Sequence, residues 1–314
     1  MEIYNDITAL PDFNNGVITI GTFDGVHLGH VQILRQLVRE AKAVNGSAVV
    51  ITFYPHPRKV IKADDTPVYL LSTQEEKYKL LSAHGIEHIV CIPFDKKFSE
   101  QPARNYIKNF LVDHFHPHTV IIGYDHKFGM DREGDYHLME AASVEYNFKV
   151  KEIPEHIIKN IVISSTKIRE ALLSGDIHTA NEFLGYSYKL KGTVVTGKKL
   201  GRSLGYPTAN LEIVDKDKLI PGLGIYAVKV SCEAIPGHFT GMLSIGTNPT
   251  VNGKARTIEV NIFDFNYDIY GSSVELSIIQ KLRNEQKFDS LDELKDQMHL
   301  DEIATLAVIK NAGA

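Results

Sequence analysis

The sequence predicts two domains of different class: an α/β domain whose parallel sheet is covered on both faces, then a small antiparallel β-barrel followed by C-terminal helices. Three observations carry this reading. The chain has 314 residues, more than one hydrophobic core usually serves. Up to about residue 185, short β-branched runs alternate with segments of helical period. Beyond that point strands follow one another through Gly, Asn and Pro turns, with no helices between them.

Taken in order, "GVITI" (16–20) reads as a buried strand, and "VQILRQLVREAKAV" behind it places Val31, Ile33, Leu34, Leu37, Val38, Ala41 and Val44 at helical spacing. Residues 47–53, 86–92, 118–123 and 148–153 read as further strands. The helical candidates between them include "TQEEKYKLLSAHG", "SEQPARNYIKNFLVDHF" and "EGDYHLMEAASVEY". "SSTKIREALLSGDIHTANEFLG" (164–185) reads as two short helices with a glycine stop. From "YSYKLKGTVVTG" onward the strands are 225–232, 239–246, 256–265 and 272–282, and "SLDELKDQMHLDEIATLAVIKNA" restores helical period. The expected domains are 1–186 and 187–314, with no low-complexity linker and no internal repeat.

Composition narrows the partners. A formal net charge of −5 leaves no basic footprint for nucleic acid or an acidic membrane, so phosphate binding must be local. Two cysteines, Cys91 and Cys232, are too few for a disulfide framework or a cysteine metal site. The amino terminus lacks the basic start and apolar stretch of a signal peptide, and no run reaches the length of a membrane span. The expected compartment is the cytoplasm. Homo-oligomerisation is not readable from the sequence.

The stretch "GTFDGVHLGH" (21–30) is a strand-to-helix turn, the place where open α/β sheets bind ligands. Gly21, Gly25 and Gly29 offer backbone freedom, and the helix start offers free N–H groups to an anion. His27 and His30, three residues apart, share one side of the first turn and can donate hydrogen bonds to a phosphoryl oxygen. A metal reading of the pair needs a third ligand that the nearby sequence does not supply. The glycines do not follow the dinucleotide pattern G-x-G-x-x-G. Downstream, "SSTKIR" (164–169) places three hydroxyls and an arginine at another helix start, which reads alone as a helix cap and beside the turn as a polyphosphate site.

In the second half, "GTVVTGKK" (192–199) nearly matches a P-loop but has Lys199 where a hydroxyl is required, and no helix follows. In "TIEVNIF", Glu259, Asn261 and Phe263 alternate with Ile258, Val260 and Ile262. Glu259 therefore faces either solvent or a site, and the local sequence leaves both open.

Together these motifs resemble a known family. "GTFDGVHLGH" with "SSTKIR" resembles the H-x-G-H nucleotidyltransferase superfamily, which implies a Rossmann-like first domain. With "TFYPHP" (52–57) and "GYDHKFG" (123–129), the first half is similar to the FMN adenylyltransferase part of bacterial bifunctional riboflavin kinase/FMN adenylyltransferases, the prokaryotic FAD synthetases. Position 126 is histidine where that family usually has an aromatic residue. "GKKLGRSLGYPTANLEI", "GIYAV", "GTNPTV" and "RTIEVNIFDFNYDIYG" resemble its riboflavin kinase part.

The resemblance implies that the first domain holds ATP through Gly21, Phe23, Asp24, Gly25, His27, His30, Ser164, Ser165, Thr166 and Arg169, with His27 and His30 at the reacting phosphates. His56, Pro57 and Asp125 would lie near the nucleotide or flavin. In the second domain it implies nucleotide binding by Gly201, Gly205, Pro207, Thr208 and Asn210, with Mg²⁺ on Thr208 and Asn210, whose hard oxygens suit that ion. It also implies Glu259 as catalytic base, and Tyr226 and Arg283 at the flavin. The expected activity is phosphorylation of riboflavin to FMN, then adenylylation of FMN to FAD, with ATP and Mg²⁺ in both steps. The rivals are a nucleotidyltransferase for another small phosphate with a regulatory barrel, and a flavin-binding regulator of gene expression. The acidic balance and the lack of a basic helix argue against the regulator.

Overall fold

A computed structural model describes residues 1–61, 67–123, 126–153, 163–197, 205–250 and 253–312. The chain forms two units, Met1–Ser165 and Thr166–Ala314. The first carries a six-stranded parallel sheet of β1 (Glu2–Tyr4), β2 (Val17–Ile20), β3 (Ala48–Tyr54), β4 (His88–Pro93), β5 (Thr119–Gly123) and β6 (Lys149–Ile153). Its order is β1-β4-β3-β2-β5-β6, and every neighbouring pair is parallel. Three helices serve as landmarks: α1 (Leu28–Ala43), α2 (Gln74–Ala83) and α3 (Tyr136–Glu145).

Alternate residues of the central strands feed opposite cores. Ile18, Val49, Val90 and Val120 join one cluster with Phe110 and Met139, while Val17, Val50, Ile89 and Ile121 join the other with Leu34 and Leu37 of α1. Burial of each such side chain contributes ~1.5–3 kcal/mol, which explains why these strands read as continuous apolar runs. Strand β1 escaped the sequence reading because three residues show no period. It pairs with β4 at the edge.

The second unit is a closed barrel of β7 (Tyr188–Val195), β8 (Thr208–Glu212), β9 (Gly224–Cys232), β10 (Ile235–Thr250), β11 (Gly253–Ile262) and β12 (Ser273–Arg283). The ring runs β10-β11-β8-β7-β12-β9, antiparallel throughout. Tyr188, Leu190, Leu243, Val260, Leu276 and Ile278 are fully buried. Closure leaves this sheet without an unpaired edge. The last helix, α6 (Leu291–Asn311), is capped by Ser290, whose hydroxyl accepts from Glu293 N–H.

The units divide earlier than the change of texture in the sequence. Helices α4 (Ser165–Ser174) and α5 (Ile177–Leu184) group with the barrel. Polar contacts fasten these helices to it. Asn181 donates from its amide to the Ile278 carbonyl at 3.0 Å and accepts from Tyr188 N–H at 2.8 Å. The Leu172 carbonyl accepts from Gly222 N–H at 2.9 Å. No helix among the described residues is long and apolar enough to cross a membrane.

Candidate active sites

The turn after β2 lies where the sheet order reverses, since β2 sits between β3 and β5 and successive strands depart to either side. Its backbone is strained. Phe23, Gly25 and Val26 all adopt positive φ, at 48°, 77° and 38°. Only glycine does so without penalty; the other two cost of order 1–3 kcal/mol each and persist only where the surroundings fix them.

Those surroundings are specific. Gly21 N–H donates to the Ile51 carbonyl at 3.0 Å, continuing the pairing of β2 with β3. The Asp24 carboxylate is buried and accepts from Leu71 N–H at 2.9 Å and Ser72 N–H at 3.1 Å. The Ser72 hydroxyl accepts from Gly25 N–H at 3.0 Å. The Ser165 hydroxyl donates to the Asp24 carbonyl at 3.3 Å, which brings the start of "STKIR" onto the turn. Asp24 thus braces the loop from within.

His27 caps α1. Its Nδ1 accepts from His30 N–H at 3.3 Å, so the neutral ring carries its proton on Nε2. The rings of His27 and His30 stack at 3.7 Å, 13° from parallel, and Phe23 flanks His30 at 5.1 Å. His30 Nδ1 is buried with no hydrogen-bond partner among the described residues. Burial, and then the neighbouring His27, hold the His30 pKa well below the usual imidazole value. His30 is therefore held in its neutral form. The turn's glycines differ in purpose from the sequence expectation. Only Gly25 uses left-handed freedom, whereas Gly29 makes room for an imidazole: a Cβ there would stand 3.1 Å from His27 Nδ1.

The other expected residues of the first half lie along the chain as follows. His56 and Pro57 follow β3, and His56 Nδ1 accepts from Arg58 N–H at 3.1 Å. Ser164 and Thr166 are exposed and Arg169 is half-buried. Asp125 and Gly201 lie outside the described residues. Ser72 was missed, because its role depends on a contact across 47 residues that no local pattern announces.

In the barrel, strand register assembles the second site. On β11, Glu259 lies opposite Asn210 of β8 and Asn261 lies opposite Thr208. Residues two apart on a strand share a face, so all four are on one side. The Thr208 hydroxyl donates to Glu259 Oε2 at 3.1 Å. Glu259 therefore belongs to a polar cluster with Thr208. Asn261, buried in the same row, donates to the Pro207 carbonyl at 2.7 Å and pins the start of β8. The row pattern could have flagged it. A cleft of about 520 Å³ is lined by Thr208, Val260, Ile262, Phe265, Tyr267 and Tyr270 among others; of the cluster only Thr208 reaches it.

The near P-loop is not one. Gly192–Val195 are the last residues of strand β7. Just beyond them, a Cβ on Gly197 would overlap the Asn210 amide. Gly205 is exposed at φ 86° with open space around it.

Two residues expected at the flavin are engaged within the fold. Tyr226 is fully buried inside the barrel and its hydroxyl donates to the Gly222 carbonyl, so it braces the loop before β9 and has no surface to offer a ligand. Arg283 spends Nε and Nη2 on Asp301 of α6 at 2.8 and 2.7 Å, and Nη1 on the Asn284 carbonyl at 3.1 Å. That two-pronged pair ties β12 to α6.

Both halves of the chain match known proteins. Residues 10–167 match a family model described as FAD synthetase, and residues 184–309 match one described as riboflavin kinase. The bifunctional riboflavin kinase/FMN adenylyltransferase of Haemophilus influenzae is 39% identical over 285 residues, covering 90% of this chain and 91% of that protein. Its Escherichia coli K12 counterpart is 37% identical, covering 91% and 90%. A crystal structure named as a macrolide-efflux protein from Streptococcus pneumoniae superposes with a TM-score of 0.86 at 30% identity, covering 97% of this chain and 98% of that one. With similarity over nine-tenths of its length and a separate match in each half, the chain belongs to the bifunctional riboflavin kinase/FMN adenylyltransferase family.

Proposed function

We propose that the family's two reactions are divided between the units of this chain. The barrel unit transfers the γ-phosphoryl group of ATP to the 5′-hydroxyl of riboflavin, giving FMN and ADP. Glu259 accepts the hydroxyl proton as general base. The first unit then lets the FMN phosphate attack the α-phosphorus of a second ATP, giving FAD and pyrophosphate. That nucleophile is already anionic, so no protein base is needed. The task is alignment and charge stabilisation. The Nε2–H of His27, the His30 ring and the open N–H groups of α1 supply donors there.

The observation that carries this reading is the register that sets Thr208, Asn210 and Glu259 on one face of β8 and β11, with Thr208 bonded to Glu259. Their hydroxyl, amide and carboxylate oxygens form a hard donor set that suits Mg²⁺, which Thr208 and Asn210 would hold. Bound there, the ion would neutralise phosphate charge. The adjoining cleft, edged by Tyr267 and Tyr270, is where the kinase nucleotide would lie. The two cysteines are buried free thiols, in keeping with a reducing cytoplasm.

Incubating the purified protein with riboflavin, ATP and Mg²⁺ and separating the flavins tests the proposal. FMN should appear first and FAD after it. A protein that leaves riboflavin unphosphorylated would instead favour a nucleotidyltransferase for another small phosphate.

A further inference from the structure

Helix α2 directs two residues of its face into the core, Lys77 and Leu81, spaced i and i+4. Leu81 is the ordinary occupant of such a position; Lys77 is not. Its side chain is buried, and burial lowers its pKa, while Cys91 and Asp24 act in the opposite direction. An ammonium in such a place costs several kcal/mol of desolvation unless it is compensated. A methionine of similar length would fill the space without that cost.

The ammonium is spent on the turn that carries the two histidines. Lys77 Nζ donates to the Thr52 hydroxyl at 3.1 Å and approaches the Thr22 carbonyl at 3.5 Å. The Thr52 hydroxyl donates to the same carbonyl at 3.2 Å. Thr22 immediately precedes Phe23, the first of the residues held at positive φ. The lysine and Thr52 hold the entry of the strained turn, as Ser72 and the Asp24 carboxylate hold its middle. No expected role in either reaction uses Lys77.

We propose that Lys77 is a positioning residue for adenylyl transfer, its buried ammonium fixing the Thr22 carbonyl so that the turn presents His27 and His30 in one arrangement. The inference rests on the assignment of FAD formation to the first unit. Lys77 acts through the turn and touches no substrate. Its loss should therefore lower kcat and leave KM for ATP nearly unchanged.

The test compares wild type, Lys77→Met and Lys77→Arg in full-length protein, each assayed for FAD formation from FMN and for FMN formation from riboflavin, with thermal unfolding in parallel. In Lys77→Met, kcat for FAD formation should fall about 10-fold or more, with KM for ATP within about threefold of wild type. The thermal midpoint should be no lower than wild type, and riboflavin phosphorylation should be unchanged. Lys77→Arg, which keeps the cation, should retain more activity than Lys77→Met. Wild type that does not adenylylate FMN would refute the assignment on which this inference rests. With wild type active, three outcomes would overturn the inference alone: an unchanged kcat in Lys77→Met, equal losses in the Met and Arg variants, or a loss that follows a lowered thermal midpoint and disappears on cooling.

Discussion

The two units build their sites by opposite means. The first concentrates its chemistry in one turn, where three successive departures into positive φ are held by Ser72, Asp24, Thr52 and Lys77, all but Asp24 reaching it from elsewhere in the fold. The barrel sets Glu259, Thr208 and Asn210 on one face by strand pairing, with extended backbone. A turn stores strain and needs anchors. A ladder needs only its register, which the alternation of buried Ile258, Val260 and Ile262 fixes, because a one-residue slip would turn them outward. Substitutions at distant anchors should therefore affect the first site, whereas the barrel should respond mainly to changes in the cluster itself.

The largest expected effect is at Glu259. Glu259→Gln preserves size but removes the proton acceptor, so FMN formation should fall roughly 10²- to 10⁴-fold. FAD formation from supplied FMN should stay normal. Undiminished FMN production would leave the kinase base unassigned.

The reciprocal change is His27→Ala or His30→Ala. Loss of either donor should lower FAD formation by about 10²-fold or more while riboflavin phosphorylation continues. A folded variant that loses both activities would erase the division between the units.

A smaller effect should follow from Gly197→Ala. The added methyl group would overlap the Asn210 amide and displace it from the Thr208–Glu259 cluster. FMN formation should drop about 10-fold, since modest misplacement of a positioning group is expensive. A full rate would show that the kinase does not depend on that amide.

The smallest effect is on stability against pH. His30 is held neutral in the fold, below its unfolded value of about 6.5. The unfolded chain thus binds a proton that the folded chain refuses, so its stabilising contribution is complete above about pH 6.5 and is lost as pH falls below that value. The thermal midpoint should decline on acidification through this range, and less steeply in His30→Gln. Parallel pH curves for the two proteins would contradict the burial assigned to the ring.

Much of the architecture was legible because periodicity and burial coincide. The central strands read as apolar runs, and α1 reads from Val31, Leu34, Leu37 and Ala41. What escaped was decided at long range. Asn181 gives no local hint that it fastens α5 to β12 and β7. Family resemblance supplied the residue types at Tyr226 and Arg283, but not the burial of one or the ion pair of the other. Lys77 is one of several charges in "QEEKYK", although its spacing from Leu81 marks it as a core position. In the site itself, His27, His30, Thr208, Asn210 and Glu259 were all visible as residues. Their bracing by Ser72 and Asp24 was not.

The central claim is that the barrel unit carries the kinase reaction without the turn that bears His27 and His30. Its most direct test is a chain of residues 166–314 prepared alone, retaining α4 and α5 with the barrel they pack against. Given riboflavin, ATP and Mg²⁺, this fragment should make FMN and stop there, forming no FAD even after long incubation. A folded fragment that leaves riboflavin untouched, or that carries FMN on to FAD, would contradict the account.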